Sequence, residues 1–150
     1  MKLSVKTLTE RFRESGRKVT PQRVAVFDVL CERGGHPTVD QIYQEVRKRF
    51  PMISLNTVYQ IMEALVEMKI VSPVSHGQEA ARYETDSAPH HHAICVLCKR
   101  ITDVFDPAIG RMRPPRAIKD QFQVLGHRVE FFGYCANCQA SRGAAHRGVL

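Results

Sequence analysis

The chain has 150 residues, 22 Lys and Arg against 15 Asp and Glu, a net charge of +7 and a pI near 9.4. That length suits one ordinary domain or two small ones with thin cores, and the basic balance favours a polyanionic partner such as nucleic acid. The opening MKLSVKTLTERF lacks an apolar leader and no run of eighteen apolar residues occurs, which excludes a membrane span by helix and predicts a cytoplasmic protein.

The first 23 residues carry seven of the basic side chains, Lys2, Lys6, Arg11, Arg13, Arg17, Lys18 and Arg23, against Glu10 and Glu14. Within them, Leu8 to Ser15 reads as a short helix closed by Gly16, a usual residue just past a helix end. Thr20 caps a second helix with Pro21 at its first position, where a missing N–H is harmless, and Val24, Phe27, Leu30 and Cys31 form its apolar stripe up to Gly34-Gly35. Thr38 and Gln41 make a capping box for a third helix with Val39, Ile42, Val46 and Phe50 on its apolar face, and Pro51 stops it. Ser54 caps a fourth, in which Val58, Ile61, Leu65 and Met68 share a face while Asn56, Thr57, Tyr59, Gln60 and Glu63 lie elsewhere.

After Lys69 the pattern changes to strands: Ile70, Val71 and Val74, a polar turn at His76-Gly77, then Ala81, Arg82 and Tyr83 returning. Helices followed by a β-hairpin is the order of a winged helix-turn-helix, whose last helix enters the DNA major groove. The expected organisation is a winged-helix domain over residues 1–84, a linker over 85–89 and a second domain over 90–150, with a disordered tail from about residue 140. In that second domain Ala93 to Val96 and Ile101 to Phe105 read as strands, Ile118 to Leu125 as a helix ending at Gly126, and Arg128 to Tyr134 as a third strand. The fold class expected is α+β.

The chemistry-bearing pattern lies in the second half. Cys95/Cys98 and Cys135/Cys138 are two Cys-x-x-Cys pairs, and His90, His91 and His92 precede the first. Four thiolates close a tetrahedron around zinc at about 2.3 Å and leave no open position, so the reading is a structural Zn2+ rather than disulfides or a redox pair, for which neither an export signal nor a βαβ context exists. Histidines with the carboxylates Glu84, Asp86 and Asp103 offer mixed nitrogen and oxygen ligands suited to iron, manganese or zinc, which points to a second, exchangeable ion.

Val19-Thr20-Pro21-Gln22-Arg23, Asn56-Thr57-Val58-Tyr59, His90-x-His92-Ala93-Ile94-Cys95-x-x-Cys98 and Gly133-Tyr134-Cys135-x-x-Cys138 together resemble the ferric uptake regulator (Fur) family of bacterial metal-dependent repressors, over roughly residues 9 to 138. The resemblance implies a winged-helix DNA-binding domain joined to a small α/β dimerisation domain, and a homodimer that represses promoters at a palindromic operator in double-stranded DNA. It implies structural Zn2+ on Cys95, Cys98, Cys135 and Cys138, and a regulatory Fe2+ or Mn2+ between the domains on His36, Glu84, His90, His92 and Asp103. It places Tyr59 near the operator, beside Asn56, Thr57 and Gln60, which stand well for phosphate or base-edge contacts, with Arg17, Lys18 and Arg23 as phosphate holders.

The spacing from Glu84 to Cys95 looks like the peroxide-responsive (PerR) branch, where a ligand histidine is oxidised; His36 and His90 are the positions the resemblance marks. That branch usually carries Asp where Glu84 stands and iron-level sensors carry Glu, so an iron-level repressor is the alternative. A further metal site of some relatives would use His91 and His127, but its acidic partner is replaced near Gly110, and the site is read as absent or weak. A zinc enzyme is disfavoured because the deaminase pattern of His-x-Glu with Pro-Cys-x-x-Cys is missing, and a zinc-stapled interaction module leaves the Asn56 to Tyr59 helix unexplained.

Overall fold

In the computed structural model, residues 4–74, 80–85, 88–119 and 121–146 are described. The chain divides into two compact units, Met1–Ala88 and Pro89–Leu150. Among the described residues no helix is long and apolar enough to cross a membrane.

The first unit is four helices and a hairpin: α1 (Val5–Glu14), α2 (Pro21–Arg33), α3 (Val39–Arg49), α4 (Leu55–Glu67), then β1 (Ser72–Val74) and β2 (Arg82–Glu84). Each helix starts where a side chain takes over an N–H that the helix leaves orphaned. Ser4, Thr20, Thr38 and Ser54 accept from Thr7, Arg23, Gln41 and Thr57, and Thr38 with Gln41 forms the full reciprocal box. Gly16 at φ 69° and Gly34 at φ 59° end α1 and α2 in the left-handed region. α1 begins three residues earlier than its apolar pattern predicts, because Ser4 caps it.

The core of this unit joins Leu8 and Phe12 of α1 to Val26, Phe27 and Leu30 of α2, Ile42 and Val46 of α3, Val58, Met62 and Leu65 of α4, and Ile70 and Val71 beyond. Val24 and Cys31, expected in the α2 stripe, are only half-buried and pack at its margin, since Ala25, Val26 and Val29 take the interior instead. Ile70 and Val71 are buried but precede the strand, in a turn where Lys69 at φ 55° lets the Ile70 N–H reach the Leu65 carbonyl at 2.9 Å. β1 and β2 pair antiparallel, with Val74 opposite Arg82. His76 and Gly77, the expected turn, lie outside the described residues.

The second unit is a three-stranded sheet of order β4-β3-β5, with β3 (His91–Cys95), β4 (Ile101–Val104) and β5 (Glu130–Gly133). β4 pairs antiparallel to β3 and β5 parallel to it. Two single-turn helices, α5 (Pro107–Gly110) and α6 (Arg116–Lys119), lie on the crossover, and α7 (Ala136–His146) follows β5.

Two expectations are corrected here. The helix predicted over Ile118 to Leu125 does not form among the described residues: one turn ends at Lys119, and Gln121 to Val129 carry no helix. Phe122 is 66% and Leu125 91% exposed among the described residues, and a short helix without a buried face is marginal. Of the tail predicted to be disordered from about residue 140, the described part continues as α7 to His146, and residues 147–150 lie outside the described residues; its alanines and arginine are good helix formers and outweigh the glycine that suggested disorder.

Only Ile94 and Cys95 are buried apolar residues of the second unit among those described, while Phe105, Phe122, Phe131, Phe132 and Leu125 stand open. A unit with so small an interior needs another source of stability.

Candidate metal centre

The thiolate site sits at one end of the second sheet. Because β3 and β5 are parallel neighbours with Cys95 opposite Gly133, both Cys-x-x-Cys turns leave the sheet at the same end. The Val96 N–H donates to the Gly133 carbonyl at 2.8 Å and ties one turn to the other, while Lys99 at φ 62° folds the first back onto the Cys95 carbonyl at 2.9 Å. Cys138 lies in the opening turn of α7, whose Gln139 N–H donates to the Cys135 carbonyl at 2.9 Å.

The four sulfurs of Cys95, Cys98, Cys135 and Cys138 lie within 4.8 Å of one another, and those of Cys98 and Cys135 are 3.6 Å apart. Zinc–sulfur bonds of about 2.3 Å at tetrahedral angles separate the sulfurs by about 3.8 Å, so the cluster fits Zn2+ and leaves no position for a substrate. The cysteines are thiols rather than disulfides.

Their protons are unevenly held. The Cys135 N–H donates to the Cys95 sulfur at 3.4 Å, and backbone N–H groups, that one foremost, bring the Cys95 thiol down to about 6. Cys135 is lowered chiefly by the Cys138 N–H. Cys138 is pushed up to about 12, first by its hydrogen bond to the Cys135 sulfur and then by burial. Negative sulfurs this close cannot all ionise without a cation among them, so metal loading and deprotonation are one event.

The nitrogen and oxygen ligands form a group within each unit. In the second, the β3–β4 register sets His92 opposite Asp103, and the Nε2 atoms of His90 and His92 are 3.0 Å apart. Asp103 Oδ1 lies 3.6 Å from His90 Nε2 and 3.7 Å from His92 Nε2. Ligands at about 2.1 Å from one ion are about 3.0 Å apart at right angles and about 3.6 Å apart at 120°, so the three fit one coordination sphere. Phe105 stacks on the His90 ring at 5.3 Å and holds its plane.

In the first unit, His36 Nε2 lies 3.2 Å from Glu84 Oε2, with both side chains 5% exposed. His36 stands in the α2–α3 loop after Gly34 and Gly35, and Glu84 ends β2. The nitrogen and oxygen donors suit Fe2+ or Mn2+ better than a thiolate cage does. Asp86, weighed as a ligand from its position, lies outside the described residues.

His91 and His127 belong to no metal-competent group among the described residues. Their rings stack at 5.6 Å and 18°. His91 Nδ1 accepts the Val129 N–H at 3.2 Å and His127 Nε2 bonds to the Ile109 carbonyl at 2.7 Å. The nearby carboxylate Asp106 is occupied by the Ala108 N–H at 2.7 Å, and Gly110 offers no ligand.

The polar face of α4 presents exposed Asn56, Tyr59 and Gln60, while Thr57 is half-buried with its hydroxyl 2.7 Å from the capping Ser54 hydroxyl. Tyr83 of β2 stands near Tyr59 and Glu63, and burial pushes its phenol up. Of the basic candidates, Lys18 is exposed, Arg17 pairs with Glu67, and Arg23 lies over the Phe12 ring at 5.1 Å and donates to the Lys18 carbonyl. Two residues escaped the sequence reading: Met52, 95% exposed just ahead of α4, and Arg82, whose Nη1 donates to the His36 carbonyl at 3.0 Å.

A helix-turn-helix with a hairpin wing, followed by a sheet carrying a thiolate cage and an imidazole–carboxylate cluster, defines a metal-responsive DNA-binding regulator. The chain matches the ferric uptake regulator family over residues 14–132 and belongs to that family, whose members are transcriptional regulators and not enzymes. It is 33% identical over 134 residues to the peroxide operon regulator of Bacillus subtilis, spanning 89% of this chain and 92% of that one, and 32% identical over 127 residues to the peroxide-responsive repressor PerR of Staphylococcus epidermidis, with 85% of each covered. Its fold superposes on the ferric uptake regulator of Helicobacter pylori, described as having three functional metal-binding sites, with a TM-score of 0.78 at 27% identity over 90% of this chain and 91% of that one. It also superposes on the Campylobacter jejuni peroxide stress regulator at 0.66 and 27% identity, covering 91% and 99%.

Proposed function

We propose that the chain is a homodimeric repressor that grips a palindromic operator only while a ferrous or manganous ion is held jointly by His36, Glu84, His90, His92 and Asp103, with Zn2+ fixed on Cys95, Cys98, Cys135 and Cys138. One observation carries the reading: each unit holds its share of an imidazole–carboxylate set at separations that suit a single ion. Neither share is a complete site, so shared coordination would fix the angle between reader and sheet, and a two-headed protein tolerates little error in half-site spacing. Binding energy at the ion then appears as operator affinity through linkage.

The dimer is supported by β5, an outer strand of its sheet on which Phe131 is 45% and Phe132 63% exposed. An outer strand beside exposed aromatics offers a surface for a second copy of the chain. Asn56, Thr57, Tyr59 and Gln60 would meet the operator from the first turns of α4, with Lys18, Arg17 and Arg23 on phosphates; Arg17 would exchange Glu67 for phosphate. The protein would act in the cytoplasm.

A ferrous ion in the site would supply the electrons that split peroxide, and His36 and His90 are the side chains that the family resemblance marks to take up the oxygen. The peroxide-named relatives favour this signal, whereas Glu84, a longer carboxylate than the Asp of that branch, favours iron level as the second reading. A mobility-shift titration with Mn2+ tests the switch: His92→Ala should keep zinc and lose metal-activated DNA binding, and operator affinity unchanged in that variant would remove the regulatory site. Dilute peroxide should then add oxygen to His36 or His90, by mass spectrometry, in the ferrous form alone; none in either the ferrous or the manganous form assigns iron sensing.

A further inference from the structure

We propose that Arg82 is a positioning residue of the regulatory site, holding His36 in ligating orientation and tying metal occupancy to the wing; this rests on the reading that His36 and Glu84 are ligands. All three residues of β2 reach the loop that carries His36. Arg82 Nη1 donates to the His36 carbonyl at 3.0 Å, the Tyr83 N–H donates to the Pro37 carbonyl at 3.0 Å, and Glu84 Oε2 meets His36 Nε2 at 3.2 Å. Thr38 adds an antiparallel bridge to Arg82. The loop is thus bridged to β2 at Thr38 and bonded to it at two carbonyls.

The loop needs such a clamp. Gly34 and Gly35 sit at φ 59° and 64°, and a Cβ added at either would meet nothing within 4 Å. The approach to His36 is therefore a two-glycine segment in the left-handed region, with open space among the described residues where side chains would otherwise stand. Pro37 narrows the backbone choices of His36, so holding the carbonyls on both sides of the proline fixes the Cα–Cβ direction from which the imidazole reaches Glu84. A guanidinium suits this task because it stays charged and makes a charge-assisted bond to the carbonyl. Tyr83, next in β2, packs against the core to which the reader helix α4 contributes, so whatever orders His36 also orders a strand seated on the same core as α4. Reciprocity then requires operator binding to raise affinity for the ion.

The test uses the full, zinc-loaded chain. Mn2+ affinity is measured by equilibrium dialysis without DNA in wild type, Arg82→Ala, Arg82→Lys, His36→Ala and the His36→Ala/Arg82→Ala double variant, and exchange of the Tyr83 amide is measured without Mn2+. Removing a residue that orients a ligand typically weakens binding about 10- to 100-fold; that loss is expected for Arg82→Ala, with zinc content unchanged, faster Tyr83 exchange and partial recovery in Arg82→Lys. The double variant should bind no worse than His36→Ala. Unchanged Mn2+ affinity in Arg82→Ala, or a loss adding in full to that of His36→Ala, overturns the role of Arg82 while leaving the site intact. Unchanged affinity in His36→Ala overturns both, by removing the ligand that Arg82 would orient.

Discussion

Cys95 and Cys138 show how unequal four chemically identical ligands become once folded. Cys95, at about 6, lies far below the ordinary 9.0, so the stability its thiolate lends the metal-free fold is complete above 9 and disappears as pH falls through 6. Cys138, at about 12, behaves oppositely: its contribution is complete below 9 and is lost as pH climbs toward 12. Zinc needs both as thiolates. Loading at pH 8 should therefore release protons, with Cys138 and not Cys95 among the donors, and a bound ion, which competes with protons for the thiolates, should hold until the pH falls below the Cys95 value of about 6. A weakly buffered zinc titration reads the first, and a chromophoric chelator the second. Loading without proton release would contradict the shared-charge account.

Among the elements, α4 depends most on one hydroxyl. Ser54 Oγ accepts the Thr57 N–H at 3.0 Å and also meets the Thr57 hydroxyl, so it caps the helix and orients a residue of the proposed reading face. Ser54→Ala should destabilise the first unit by about 1 kcal/mol in denaturant melts, and weaken operator binding in Mn2+-loaded protein. The caps of α2, α3 and α4 were legible because an N-cap is a local bargain between one side chain and an N–H three residues on. The parallel pairing of β3 with β5 was not, since its partners are 38 residues apart in register, as His92 and Glu130 show; the paired Cys-x-x-Cys turns hinted only that the two segments meet. The false helix at Ile118 to Leu125 had the composition of a helix without a surface to rest on. His36 and Glu84 as partners were legible only through family resemblance, and Arg82 left no signal at all, because it grips a backbone carbonyl that every residue possesses.

For the whole molecule, the two units differ in what holds them. The first has an interior spread over four helices and the hairpin; the second has a sheet, a thiolate cage and exposed aromatics. Two substitutions separate its supports. Phe132→Lys should yield a zinc-loaded chain of monomer mass by light scattering, folded in both units, with operator binding lost. Cys95→Ser should lose zinc and give hydrogen-exchange protection confined to residues before Ala88. A Cys95→Ser protein that stays dimeric and fully protected would show that the cage is dispensable.

The parallel register of β3 and β5 has a consequence during synthesis. β3 cannot gain its second neighbour, nor the cage its last sulfur, until the ribosome has added the crossover and the start of α7, whereas the reader's contacts are complete well before. A newborn chain in a zinc-starved cell would carry a finished reading head on an unfinished partner-binding half, able to touch promoters singly but not to hold them. Metal scarcity would then act twice, once on assembly and once on signalling, and limited proteolysis of chains made without zinc should leave the N-terminal fragment whole.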